Sequence, residues 1–338
     1  MNDMIQTTPK GLYCSAGGFY IDPRQPVDKA VITHAHADHT RWGCGGYLCA
    51  AEGKVLLRLR LGSDVAIETL DYGETKTVNG IALSLHPAGH IRGSAQVRLE
   101  KAGRVCVVSG DYKRAADPTC TALEPLRCHD FVSESTFGLP IFRWPATEEI
   151  LAEVNSWWRS NREQGRTSVL LAYALGKAQR IIAGLDEDIG PILTHGAIEK
   201  FVACYRHSGV TLPPTCPVGT LTDKSLLKTA IVIAPPSADT PSWMRRFIDP
   251  ARAFASGWMR IRGNRRRRSL DRGFVLSDHG DWDALVKTIM ETGAEKIRVT
   301  HGYAAELARW LQEKGRAAEV IPSAFQPAED DNGNEEDS

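Results

Sequence analysis

The segment His34-Ala35-His36-Ala37-Asp38-His39 places three imidazoles and a carboxylate within six residues. Imidazole nitrogen and carboxylate oxygen together suit zinc or manganese. Read as extended chain, the alternation puts His34, His36 and Asp38 on one side and His39 elsewhere, so one short loop can serve two neighbouring metal positions. Three further candidates follow apolar stretches: His90 in Ala88-Gly89-His90, Asp111 in Ser109-Gly110-Asp111, and His301 in Val299-Thr300-His301-Gly302. A carboxylate has two oxygens and can bridge two metals. A site that keeps coordination positions open can hold the water that attacks a substrate.

The elements that must position these residues are short strands. Gly11 to Asp22 reads as a hairpin around Gly17-Gly18. Ala30 to Thr33 is an apolar strand that runs into the histidine loop. Ile81 to Leu85, Ala95 to Leu99 and Val105 to Ser109 are further strands separated by glycine and charged turns. The pattern changes near Pro140. Ile150, Leu151, Val154, Trp157 and Trp158 recur at helical spacing, so a helix is expected over Glu148 to Arg159. Strands at Ser168 to Ala172, Pro191 to Leu193 and Ala230 to Ala234 alternate with helices at Gly176 to Leu185 and Ala197 to Tyr205, the pattern of a mostly parallel α/β layer. A strand at Phe274 to Leu276, a helix at Trp282 to Thr292, a strand at Lys296 to Val299 and a helix at Ala304 to Lys314 complete the chain.

The chain has 338 residues, 42% hydrophobic and 24% charged, which is ordinary globular composition. Apolar runs fall far short of a membrane helix, and no secretory leader is readable at the N-terminus. Eight cysteines without a C-x-x-C pair then point to a reduced cytoplasm and to thiols rather than bridges. The net charge of zero hides an asymmetry. Glu329 to Ser338 holds six acids and no base, leaving 41 bases against 35 acids in the body. Between Arg245 and Arg272 stand ten arginines and only two acids. Such a patch is either a solvated face or a polyanion-binding strip.

The ordered motifs H-x-H-x-D-H, A-G-H and S-G-D resemble the metallo-β-lactamase fold. Three more narrow the resemblance to its β-CASP nucleases. Ser133-Glu134-Ser135-Thr136-Phe137-Gly138 resembles their motif A, Ser277-Asp278-His279-Gly280-Asp281 their motif B, and Val299 to Gly302 their motif C. Thr8 to His39, Ala172 to Gln179 and Ser256-Gly257-Trp258-Met259 resemble the bacterial DNA ligase-associated exonucleases. The resemblance implies an α/β fold: an αββα metallo-β-lactamase sandwich over 1–139 and 269–325, an inserted α/β β-CASP cap over 140–268, and an acidic disordered tail over 326–338.

The resemblance further implies two divalent metal ions, zinc expected and manganese the alternative. One is held by His34, His36 and His90, the other by Asp38, His39 and His301, and Asp111 bridges them. The implied reaction degrades DNA from an end, with water activated between the two ions. His279 is the candidate acid for the leaving oxygen, and Glu134 orients it. The implied partners are DNA, single-stranded or with a free end, and a ligase in repair. Ser135, Thr136, Arg260, Arg262, Arg265, Arg266, Arg267 and Arg268 are candidate substrate contacts. Trp243, Trp258 and Phe254 lie among those arginines and either stack bases or pack in a core. His195 also follows a strand, but it lies inside the inserted region, where a structural or substrate-lining role is expected. The catalytic motifs do not separate a DNA exonuclease from a ribonuclease. A small-molecule metallohydrolase needs neither the cap nor motifs A to C, and a non-catalytic scaffold would be expected to have lost ligands.

Overall fold

The structure, a computed structural model, describes residues 3–261, 263 and 270–322. Arg262, Arg265 to Arg268 and the acidic tail lie outside the described residues. The chain divides into two compact units. One joins the chain up to Pro140 with the chain from His279, and the other runs Ile141–Asp278.

The first unit is built on two sheets. The first sheet contains, in spatial and chain order, β1 (Gln6–Thr8), β2 (Gly11–Cys14), β3 (Phe19–Ile21), β4 (Lys29–Val31), β5 (Gly46–Ala50) and β6 (Ile67–Leu70). The second contains β7 (Thr75–Val78), β8 (Ile81–Pro87), β9 (Ala95–Lys101), β10 (Arg104–Val108), β11 (Asp130–Glu134), β18 (Lys296–Thr300) and β19 (Ala318–Val320), in the spatial order β19-β18-β11-β10-β9-β8-β7. The expected hairpin of β2 and β3 forms, with Cys14 opposite Phe19.

Alternation along β10 shows how the layers assemble. Cys106 and Val108 face a core shared with Ile21, Val31 and Leu48 of the first sheet. Val105 and Val107 face the opposite way, onto Trp282, Ile289, Leu307 and Leu311 of two helices, Trp282–Thr292 and Ala304–Glu313. A period of two buries both faces of one strand, so the second sheet is sandwiched between the first sheet and those helices.

Strand direction explains why the candidate ligands meet. β8 and β10 are both antiparallel to β9, so they run the same way. β11 and β18 are parallel to β10 and to each other. The four strands therefore deliver His90, Asp111, Glu134 and His301 to one end of the sheet. β4 of the other sheet brings its loop to that end, where Ala95 N donates to Thr33 O at 2.8 Å.

The second unit carries a six-stranded, all-parallel sheet: β12 (Ser168–Leu171), β13 (Ile192–Thr194), β14 (Cys216–Pro217), β15 (Ile231–Ala234), β16 (Ala251–Ala255) and β17 (Arg272–Phe274), in the order β14-β13-β15-β12-β16-β17. The expected helix over 148–159 extends over Thr147–Glu163, with Ile150, Val154 and Trp158 on its buried face. The strand expected at Phe274 to Leu276 lies at Arg272–Phe274, because that register pairs it with Ala253 to Ala255. Residues 270–278, read from sequence as part of the returning region, thereby belong with the second unit. No disulfide forms among the described residues, and Cys14, Cys49, Cys106 and Cys128 are buried. Among the described residues, no helix is long and apolar enough to cross a membrane.

Candidate metal centre

The loop after β4 does not stay extended. His39 N donates to His36 O and Thr40 N to Ala37 O, both at 3.3 Å. This turn corrects the alternating projection read from the sequence. It gathers Asp38 with His39, because a turn, unlike a strand, brings adjacent side chains together, and it leaves the His39 ring 4.1 Å from that of His34. Two sets of donors that include this loop result, each with its ligand atoms within 4.8 Å of one another: His34, His36, His90 and Asp111, and Asp38, His39 and His301; Asp111 also groups with Glu134 and His279.

In the first set, His34 Nε2 and His36 Nδ1 are 3.1 Å apart, as are His36 Nδ1 and His90 Nε2. Asp111 Oδ2 lies 3.5 Å from His34 Nε2 and 3.8 Å from His90 Nε2. All four side chains are buried. In the second set, His39 Nε2 lies 3.3 Å from Asp38 Oδ2 and 3.4 Å from Asp111 Oδ2. The His39 and His301 rings stack with centroids 5.3 Å apart. Asp111 therefore faces both sets.

Asp22, not singled out from the sequence, sets the proton positions of two of these histidines. Its Oδ2 accepts from His39 Nδ1 at 2.8 Å and from Thr33 Oγ1 at 2.6 Å. Thr33 has one hydroxyl proton and gives it to Asp22, so at the 3.0 Å contact with His34 its oxygen accepts from His34 Nδ1. Both imidazoles then carry their proton on Nδ1 and turn the Nε2 lone pair into the cluster, as carboxylate-buttressed metal ligands do. The only sequence signal was an acid at a strand end, in Ile21-Asp22-Pro23.

Electrostatics argue the same way. Burial, reinforced by His39, holds His34 well below the usual histidine range, so it is neutral and able to ligate. Burial likewise lowers His301. Burial also pulls His39 down, but Asp38, Asp111 and Asp22 outweigh it and raise it well above that range. Burial would raise Asp111, yet His39 and His279 hold it well below the usual carboxylate range. Three carboxylates around one imidazole call for positive charge at that point. His39 Nε2 and Asp111 Oδ1 are also buried without a hydrogen-bond partner. Orphaned donor atoms in a nitrogen- and oxygen-rich cluster fit divalent cations such as zinc or manganese.

Beside the centre stands a buried relay. Glu134 Oε1 accepts from Tyr112 N at 2.7 Å and Oε2 from Thr136 Oγ1 at 2.6 Å, and both oxygens lie 3.0 to 3.1 Å from His279 Nδ1. The backbone at His279 is fixed because Gly280 N donates to Tyr112 O at 2.7 Å and Asp281 caps the helix Trp282–Thr292 through Ala284 N. His279 Nδ1 lies 3.9 Å from Asp111 Oδ2, next to the first set.

Close approaches hold the loops together. Gly110 has φ +56°, and a Cβ there would meet Thr33 Cβ at 2.7 Å. Gly302 has φ +55°, and a Cβ would meet Thr136 Cα at 2.4 Å. His301 itself adopts φ +59°, a strained conformation for a non-glycine ligand.

The expected substrate contacts fare differently. Ser135 is fully buried and donates to Thr300 O and His301 O. Thr136 is buried and donates to Glu134. Their hydroxyl protons are spent on the framework, so both brace motifs A and C instead of facing substrate. Arg260 is exposed, with Nε donating to Ile141 O at 3.2 Å. Phe254 and Trp258 are buried core residues. His195 caps the helix Gly196–His207 by accepting from Ala197 N, a structural role.

Comparisons with known proteins place the chain among relatives. A protein described as a probable DNA ligase from Opitutus terrae is 31% identical over 317 residues, covering 92% of this chain and 30% of that protein. The endoribonuclease YSH1 of Saccharomyces cerevisiae is 36% identical over 123 residues, covering 36% of this chain and 16% of that protein. The cleavage and polyadenylation specificity factor 73 of Drosophila melanogaster is 26% identical over 182 residues, covering 52% and 26% respectively. The chain belongs to the metallo-β-lactamase/β-CASP nuclease family. It spans less than a third of the length of each of these three relatives. A crystal structure of a protein of unknown function from Enterococcus faecalis V583 matches with a TM-score of 0.60 at 13% identity, over 88% of this family member and 80% of that chain, a likeness of fold alone. No family model matches the chain.

Proposed function

We propose that this chain is a metal-dependent phosphodiesterase that degrades DNA from an end, with 1–140 and 279–325 as its metallo-β-lactamase region and 141–278 as the inserted β-CASP region. The observation that carries the reading is the pair of ligand sets joined by Asp111, which belongs to the first, lies 3.4 Å from His39 Nε2 of the second, and is grouped also with Glu134 and His279. His34, His36 and His90 would hold one ion and Asp38, His39 and His301 the other, with Asp111 common to both. Two divalent cations so placed supply Lewis acidity toward a phosphodiester and lower the pKa of water. Zinc suits the nitrogen-rich set and manganese the oxygen-richer one.

The chain's own groups do the remainder. Asp22 keeps the His39 and His34 protons on Nδ1. The attacking water releases one proton to solvent and its oxygen bonds to phosphorus as the bond to the leaving oxygen breaks, and His279 gives that leaving oxygen its proton. Glu134, braced by Tyr112 and Thr136, aims the His279 ring and favours its charged form. The relative named as a DNA ligase supports a role beside strand joining, whereas the relatives named as endoribonucleases favour RNA as the second reading.

The test is to incubate metal-loaded protein with matched single-stranded DNA and RNA, labelled separately at each end, with Asp111→Ala as control. Stepwise release from DNA alone is the expected result, and the label lost first gives the polarity. Cleavage of RNA alone moves the chain to RNA processing. Cleavage of neither overturns the nuclease reading.

A further inference from the structure

We propose that Trp42 is a stacking platform for an unpaired nucleobase beside the metal centre, with Arg41 placed to meet the adjoining phosphate. The proposal rests on the nucleic-acid reading above and specifies which part of the substrate the surrounding loop holds.

Trp42 is 70% exposed, more than any other large hydrophobic side chain among the described residues. An indole left in water forgoes the burial that normally stabilises it. A single exposed apolar residue is ordinary on a protein surface, but three observations set this one apart. The first is its carrier. Tyr47 is buried, and its hydroxyl donates to Arg41 O at 2.7 Å and accepts from Cys44 N at 3.0 Å. Gly45 N donates to Val27 O at 2.9 Å. The loop that exposes the indole is thus pinned on both sides of it, so little ordering entropy remains to oppose a ligand.

The second is its place. Trp42 continues the turn that carries the ligands, which Thr40 ties back through its hydroxyl to His34 O at 3.3 Å. It lies three positions after His39, so the two Cα atoms lie within about 11 Å of each other. Asp38, one residue before His39, has a side chain 48% exposed and marks where this part of the centre meets solvent. The third is its neighbour. Arg41 is also exposed. An aromatic face beside a cation is the combination that binds single strands without reading sequence. Of the three aromatics expected to interleave with the arginine-rich segment, Trp258 and Phe254 are 6% and 1% exposed and have no face to offer, and Trp243 is half-buried.

The experiment measures kcat/KM on single-stranded oligonucleotides carrying one abasic nucleotide walked inward from the end. Trp42→Ala should lower kcat/KM on the intact oligonucleotide about tenfold or more. Trp42→Phe should restore most of it, with melting temperature and metal content unchanged in both. An abasic nucleotide within the first few positions from the cut should reproduce the loss in the wild type and add nothing in Trp42→Ala. The proposal is overturned if Trp42→Ala matches the wild type within twofold. It is equally overturned if the two losses add independently at every position. If the wild type cleaves neither DNA nor RNA, the nucleic-acid reading itself falls, and that shows before any variant is compared.

Discussion

The two halves of the proposed metal centre are chemically unequal. The half made by His34, His36 and His90 is sealed, and burial keeps His34 neutral. The half made by Asp38, His39 and His301 is open at Asp38, whose side chain is 48% exposed, and is crowded with carboxylate. A cavity of about 210 Å³ adjoins this second half, lined by Asp22, Arg24, Asp38, His39 and His301 among others. On the proposed two-ion reading, the sealed, nitrogen-rich half should retain its ion and the open, oxygen-richer half should exchange it. The difference teaches that burial and donor type set the two halves apart, with Asp111 lying 3.4 to 3.8 Å from nitrogens of both.

Asp111→Ala should break both halves at once and lower turnover by at least about a thousandfold, read in the end-labelled cleavage assay. A variant that keeps nuclease activity would separate the halves and sink the shared-carboxylate scheme. His279→Ala should leave both halves intact. Turnover should fall about a hundredfold to ten-thousandfold while metal content stays at the wild-type value, and loss of an ion would make His279 a ligand instead. Asp22→Asn should act unequally. It touches His39 directly and His34 only through Thr33, so affinity at the open half should fall about ten- to a hundredfold, with a smaller loss at the sealed half in a metal titration.

A milder effect is expected on stability. In the metal-free protein His39 is raised above its ordinary value of 6.5. A raised group contributes stability that is fully present below its unfolded pKa and is lost as pH rises through the folded one. His34 and His301 are lowered and act in the opposite sense near pH 6, so the His39 contribution is read against His39→Gln: in chelated protein the wild type should gain more over that variant near pH 6 than near pH 9. Metal loading should reverse the order, because protons compete with the cation for His39. Melting curves at the two pH values, with and without chelator, check both signs.

Much of the site was legible because its residues stand at or just past strand ends, and strands running the same way deliver those ends to one edge. The period-two burial of Val105 to Val108 and the capped helix after Asp281 follow from local pattern in the same way. The rest was hidden for identifiable reasons. The turn from His36 to Thr40 depends on backbone hydrogen bonds that a run of alternating residues does not announce. Asp22 is a lone acid whose partners, Thr33 and His39, are 11 and 17 residues away. Ser135 and Thr136 have the composition of substrate contacts, and only burial shows that their hydroxyls are spent inside. Trp42 carries no local signal of its exposure, which the packing of its loop determines.

The most direct test of the unequal centre is a timed chelation experiment on the loaded protein, with released metal counted per chain. Two ions should leave in two phases. Asp38→Ala should abolish the fast phase alone and His90→Ala the slow one. Release of a single ion per chain, or of two ions in one phase that both variants alter equally, would contradict the account.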